Sequence, residues 1–239
     1  MGGMQTIGLI GGMSWESTLH YYRLVNEEVR ARLGGLHSAD VLLYSLDFAE
    51  VEAMQRAARW DEAGELLAGA AARLERGGAD FIVLCTNTMH KVAGAIEAQV
   101  RIPLLHIADA TAAEVKMRGL RKVGLLATRF TMEEPFYRER LARHGIEVVT
   151  PNVEDRAHVH AVIYEELCLG KVREESRAEY RRIAAGLLDA GAEGIVFGCT
   201  EVMMLLAEGD VAAPVFDSTA LHARAAVARA LDVGTAAGC

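Results

Sequence analysis

The stretch Gly78-Ala79-Asp80-Phe81-Ile82-Val83-Leu84-Cys85-Thr86-Asn87 is answered later in the chain by Gly191-Ala192-Glu193-Gly194-Ile195-Val196-Phe197-Gly198-Cys199-Thr200-Glu201. Each is a short apolar run of strand length that ends in Cys-Thr. In an α/β protein the carboxyl end of a buried strand opens onto a crevice beneath the next helix, where ligands bind. The doubled run therefore predicts two similar half-molecules, each delivering one thiol to a shared cleft.

Other landmarks repeat with it. Val123-Gly124-Leu125-Leu126-Ala127-Thr128 matches Ile7-Gly8-Leu9-Ile10-Gly11-Gly12 in type and order, and Pro214-Val215-Phe216-Asp217 parallels Pro103-Leu104-Leu105-His106. Cys85 and Cys199 stand 114 positions apart, Ile7 and Val123 116, and Pro103 and Pro214 111, which points to an internal duplication. Apolar runs of strand length alternate with stretches of helical periodicity, the pattern of a parallel sheet covered by helices.

The expected fold is α/β, with two pseudosymmetric Rossmann-like lobes, each a parallel sheet flanked by helices, and the active site between them. Residues 1–110 with 218–239 would form the first lobe and 111–217 the second, a closing helix over 220–231 returning to the first half. Strands are expected at 6–10, 41–46, 81–84 and 102–107 in the first half. The helices there are 14–34, capped by Ser14 with Glu16 in its first turn, then 62–76 and 89–99. In the second half, helices are expected at 133–143 and 177–189, with a strand at 146–149.

Composition narrows the function. The chain has 239 residues, 51% of them hydrophobic and 24% charged, enough for two α/β cores. A formal net charge of −8 argues against nucleic acid as a partner, which needs Lys and Arg to neutralise phosphates. No run of about 18 apolar residues suggests a membrane span, and Met1 to Gln5 lacks a basic region followed by an apolar core, so a cytoplasmic protein is expected. Cys85, Cys168, Cys199 and Cys239 are too widely spaced for a zinc ribbon and contain no Cys-x-x-Cys pair; free thiols and no metal are expected. Cys168 and Cys239 read as small buried apolar residues. Gly8-Leu9-Ile10-Gly11-Gly12 lacks the glycine spacing of a dinucleotide fingerprint.

At these residues the chain resembles the aspartate/glutamate racemase superfamily, whose members have two pseudosymmetric α/β domains and one catalytic Cys from each. Val83 to His90 carries the first motif and Val196 to Val202 the second. The bacterial aspartate/glutamate or broad-specificity amino-acid racemases are resembled further in Ile7 to Thr18, Leu46-Asp47-Phe48 and Ile107 to Thr111. Glutamate racemases proper commonly have an Asp-Ser pair in the first loop and a His two residues after the second Cys; this chain has Gly12-Met13-Ser14 and Glu201 there. The resemblance implies a homodimer and a small amino-acid substrate. Maleate isomerases and arylmalonate decarboxylases share the architecture and remain alternative activities, as does a two-lobed protein that binds a small molecule without turning it over.

Racemisation requires removing an α-proton beside a carboxylate, which pyridoxal enzymes achieve with an electron sink held by a Lys. With four Lys, none in an obvious pyridoxal context, a cofactor-free route is expected. One thiolate would take the proton from one face while the other thiol donates to the opposite face. A free thiol has a pKa of about 8.5, which a helix N-terminus would lower. Thr86 and Thr200 stand where such helices should begin and could bind the substrate carboxylate. Asn87 and Thr88 would add donors on the first side, and Glu201 would add a contact on the second.

Met13 and Ser14 would sit over the same cleft, against a competing reading as a tight turn with a cap. Asp47 could hold the substrate ammonium and Gln55 a side-chain group, the latter implied by the resemblance to enzymes with a Gln there; both could also be ordinary loop residues. Thr128 and Thr131 occupy the place equivalent to Gly12 and beyond, and Arg129 between them reads as an exposed surface cation. In some aspartate-specific relatives a Lys follows the Glu-Glu-Leu stretch; here Lys171 lies further on. His90 reads as structural.

Overall fold

A computed structural model describes residues 3–232; Cys239 lies outside them, and the side chain of Glu208 is likewise left aside. The chain divides into two compact units, one built from residues up to His106 together with those from His222 onward, the other from Ile107 to Leu221. The crossings fall at His106/Ile107 and Leu221/His222, a few residues from the 110/111 and 217/218 expected from the sequence.

The first unit runs β1 (Ile7–Gly11), α1 (Trp15–Leu33), β2 (Val41–Ser45), α2 (Phe48–Arg56), α3 (Trp60–Arg76), β3 (Phe81–Leu84), α4 (Ala93–Gln99) and β4 (Leu104–Leu105). The second runs α5 (Ile107–Met117), β5 (Lys122–Ala127), α6 (Arg129–Glu133), α7 (Pro135–Arg143), β6 (Glu147–Val149), α8 (Val153–Glu165), α9 (Glu174–Asp189), β7 (Gly194–Gly198), α10 (Val202–Leu205) and β8 (Val215–Asp217). Helix α11 (Ser218–Leu231) starts in the second unit and ends in the first. Both sheets are four-stranded and parallel, in the orders β2-β1-β3-β4 and β6-β5-β7-β8. The repeated topology is what the repeated sequence requires.

Burial tracks strand position. Central strands β1, β3 and β7 are buried at every residue, and β5 at all but Lys122, as parallel strands covered on both faces must be. Alternation along β3 divides the first core in two. Ile82 and Leu84 face α2, α3 and α4, where Leu67, Ala70, Ala71 and Leu74 form the apolar stripe of α3. Phe81, Val83 and Cys85 face Tyr21, Val25 and Val29 of α1 and Ala223, Ala226 and Val227 of α11.

Several expected elements are corrected by local chemistry. The strand expected over 102–107 is paired only at Leu104 and Leu105, because Ile107 already opens α5. The helix expected over 89–99 is a 3-10 turn over Thr88–Val92 followed by the short α4. The helix expected over 133–143 is α7, which starts two residues later with Pro135 in its first turn, and the short α6 precedes it. Helices α2, α5 and α8 are additions to the expected set; α2 and α8 start at side-chain caps, Asp47 to the Ala49 N–H and Asn152 to the Asp155 N–H. The Ile107 to Thr111 stretch proves to be a clamp: Asp109 pairs with Arg140 of α7 at 2.5 Å and with His144 Nε2 at 2.8 Å.

The turn after β1 shows why a glycine stands at position 12. Gly12 has φ +90°, and a Cβ on it would lie 2.1 Å from the Leu46 carbonyl oxygen and 2.4 Å from the Leu46 nitrogen. Gly78 also has positive φ, +98°, but open space around it. Gly78→Ala is expected to cost about 1 kcal/mol, the conformational penalty alone, whereas Gly12→Ala adds a backbone collision and should cost more than about 3 kcal/mol. Urea unfolding of the two variants compares them directly; equal losses would contradict the packing account.

Candidate active site

The strand order in each sheet reverses beside the central pair, β1 with β3 and β5 with β7, so a crevice opens at their carboxyl ends. Ile10 pairs with Leu84 and Ala127 with Gly198, which brings the turn after each first strand next to a cysteine.

In the first unit Cys85 is completely buried, its N–H donates to the Ile10 carbonyl at 2.9 Å, and its Sγ lies 3.8 Å from the Val83 carbonyl oxygen. Burial pushes its thiol far above the usual range, because a thiolate loses its hydration there. In the second unit Cys199 is buried with Sγ 2.9 Å from Glu201 Oε2, which also accepts from Thr200 Oγ1 at 2.5 Å. Its thiol is raised well above the usual range too, first by burial and then by the negative charge of Glu201, with a further contribution from Cys168. Cys168 is half-buried and packs against the second core.

The expected lowering of the thiol pKa by a helix start is overturned. Cys85 leads into a 3-10 turn and Cys199 into the four-residue α10, so neither sulfur meets a long helix dipole. Dehydration decides the direction instead.

The anticipated binding residues divide by unit. Around Cys85, Asn87 and Thr88 are buried, Thr86 is half-buried, and Gln55 is buried with Nε2 3.0 Å from Met89 Sδ, tying α2 to the segment after the cysteine. Met13 packs in the core cluster with Ile10, Val51 and Met89. The Met13–Ser14 peptide is cis. Asp47 is exposed, with Oδ1 accepting the Ala49 N–H at 3.0 Å; its observed role is the cap of α2. Thr200, Glu201 and Thr131 lie in the second unit, all buried, while Arg129 is exposed, as expected, and Lys171 is exposed in the loop before α9.

Paired hydroxyls add to the anticipated set. Ser14 Oγ lies 3.2 Å from Ser17 Oγ and accepts the Ser17 N–H; Thr128 Oγ1 lies 3.2 Å from Thr131 Oγ1 and accepts the Thr131 N–H. Both pairs are buried at the helix starts beside the cysteine strands. Along the chain, each member of the first pair stands as far from its counterpart in the second as Cys85 does from Cys199. Ser17 is the residue that the sequence-based set lacks, and the doubled three-residue hydroxyl spacing is the signal that finds it. A buried hydroxyl pair at a helix start offers donors to a carboxylate.

Comparison with known proteins gives the family. Residues 10–226 match the Asp/Glu/hydantoin racemase family, and the chain belongs to it. It is 25% identical over 229 residues to the broad-specificity amino-acid racemase RacX of Bacillus subtilis (strain 168), covering 92% of this chain and 96% of that protein. A crystal structure of a putative Asp/Glu racemase from Yersinia pestis shares 56% identity with a TM-score of 0.90, covering 95% of this chain and 100% of that one. An aspartate racemase homologue from Pyrococcus horikoshii OT3 shares 37% identity with a TM-score of 0.83, covering 95% and 99%. Among the described residues no helix is long and apolar enough to cross a membrane.

The thiol environments make a prediction about pH. Folding raises both pKa values above the unfolded-chain value of about 8.5, so the fold favours the protonated thiols. Their contribution to stability is full below about pH 8.5 and declines as pH climbs from there toward the folded values. Alkylation by iodoacetamide should accordingly be slow at pH 7.5 and accelerate into the alkaline range. Glu201→Gln should speed alkylation of Cys199 by roughly tenfold, by removing a like charge, and leave Cys85 unchanged. Peptide mass analysis reads both sites; an unaltered Cys199 rate would refute the assigned role of Glu201.

Proposed function

We propose that this chain is a cofactor-independent amino-acid racemase, of aspartate/glutamate or broader specificity, in which Cys85 and Cys199 serve opposite faces of one α-carbon. The observation that carries the reading is the placement of two buried thiols at matching strand ends of two repeated units, in a chain of the racemase family. A racemase needs one proton acceptor and one proton donor whose roles exchange between enantiomers, and two like groups meet that need symmetrically.

Burial of the thiols suits the task. A thiolate whose pKa is raised is less abundant but a stronger base toward a weakly acidic α-proton. The Glu201 carboxylate, 2.9 Å from Cys199 Sγ, accepts the thiol proton in a hydrogen bond and holds Cys199 in the protonated form that can donate to the α-carbon. This moves Glu201 from the substrate-contact role expected of it to one of serving Cys199. On the substrate side, the hydroxyl pairs Ser14/Ser17 and Thr128/Thr131, with Thr86, Asn87, Thr88 and Thr200, supply donors for the carboxylate, where negative charge grows as the α-proton leaves. The broad-specificity name borne by the Bacillus subtilis relative supports testing uncharged as well as acidic amino acids. We further propose a cytoplasmic homodimer with no pyridoxal phosphate.

The test is a chiral-chromatography screen of both enantiomers of the amino acids, run on wild type, Cys85→Ser and Cys199→Ser in deuterated water. Each substitution should lower interconversion by roughly a thousandfold or more, the loss of an acid/base group, while leaving the protein folded. Each variant should still exchange the α-proton of one enantiomer, a different one in each case. Full interconversion by either variant would refute the two-thiol mechanism. Turnover of an isomerase or decarboxylase substrate with no α-proton exchange on any amino acid would refute the racemase reading itself.

A further inference from the structure

A cluster of buried imidazoles lies on the same face of the first sheet as Cys85, and proton transfer between thiols gives it no task. Tyr21 Oη is 2.9 Å from His222 Nδ1, and His222 Nε2 is 2.8 Å from the Leu105 carbonyl oxygen. A carbonyl can only accept, so His222 carries its proton on Nε2 and receives the tyrosine O–H on Nδ1. Burial keeps that ring neutral, its pKa pushed down to about 4. The His90 ring packs against it at 5.9 Å between centroids and against His106 at 4.4 Å. His90 then turns its Nδ1 to the Thr86 carbonyl oxygen at 2.7 Å, and the same rule makes that nitrogen the donor.

We propose that His90 is a positioning residue for Cys85: by donating to the Thr86 carbonyl it fixes the turn that presents the thiol. The proposal rests on the reading of Cys85 as a proton carrier. The turn is held at the cysteine by Cys85 N–H to Ile10 and just beyond it by Thr86 N–H to the Leu84 carbonyl at 2.8 Å, both main-chain bonds that any residues there would make. The bond from His90 is specific to a side chain, and its ring cannot swing away because His106 and His222 flank it. If filling space were the whole task, a ring without a donor would serve. The second unit provides a contrast: the position that corresponds to His90 at the cysteine spacing is Met204, which is exposed, and Cys199 has Glu201 beside its sulfur instead. The positioning therefore acts on one thiol of the two, which a general loss of stability would not.

The experiment compares His90→Phe, which keeps a ring and removes the donor, with His90→Asn, whose amide N–H falls near the place of Nδ1. Two readouts are taken: iodoacetamide alkylation resolved to Cys85 and Cys199 by peptide mass analysis, and α-deuterium exchange measured on each enantiomer separately. His90→Phe should raise the Cys85 to Cys199 alkylation ratio on the order of tenfold and depress exchange through Cys85 by a similar factor, as displacement of a reacting group does. His90→Asn should restore the wild-type ratio. A folded His90→Phe protein with an unchanged ratio, or with both thiols altered alike, overturns the proposal. If His90→Phe does not fold, His90→Asn and His90→Gln decide, since Gln carries its amide one methylene too far; equal ratios in the two overturn it, and a raised ratio in Gln alone supports it. Alkylation needs no turnover. A shifted ratio in a protein that exchanges no amino acid would uphold the positioning and sink the racemase reading, while an unchanged ratio in an active racemase would sink the positioning alone.

Discussion

A parallel strand covered on both faces must surrender its chain at a carboxyl end that is already dry, and in each unit the first residue past that end is a cysteine. Everything distinctive about the site stems from this dehydration. Cys85 and Cys199 inherit the burial of β3 and β7, and the cost of charging a sulfur without water outweighs whatever the short turns beyond them can offer. A thiol held in this way is a poor nucleophile toward solvent reagents and, once deprotonated, a strong base. Proton transfer asks for that combination more than covalent catalysis does.

The two units are alike in topology and in their hydroxyl pairs, but not in the surroundings of their sulfurs. Cys199 shares a carboxylate with Thr200, whereas Cys85 touches a main-chain carbonyl and shares its sheet face with a buried histidine cluster. The racemase proposed above does not need identical thiols. It needs a proton balance between them, and different neighbours allow each half of that balance to be tuned without disturbing the other.

Legibility in the sequence depends on how local each signal is. Strands β1, β3, β5 and β7 are plain because burial on both faces leaves uninterrupted apolar runs, and α1 is plain because Ser14 and Glu16 mark its start. Helix α8 is hidden because its apolar residues are weakly periodic, and α2 because it is only 9 residues long; the caps Asn152 and Asp47 set where they start. The short pairing of β4 is hidden because strand and helix compete for Ile107, and packing of α5 against the second core resolves the contest. Thr131 is legible from its place beyond the equivalent of Gly12, whereas Ser17 stands out only once its spacing from Ser14 is set beside that of Thr131 from Thr128.

From the sequence alone came the repeat, the two Cys-Thr strand ends, the parallel α/β class and the family, because each is written in neighbouring residues or in a fixed offset between them. Tertiary structure decided the direction of the thiol pKa values, the partnership of Glu201 with Cys199, the packing of Met13 against Val51 and Met89, and the meeting of Tyr21, His90, His106 and His222. Those outcomes depend on solvent exclusion and on contacts between residues far apart in the chain. Such contacts have no local signature, since a side chain's charge state and hydrogen-bond partner are set by what the fold brings beside it.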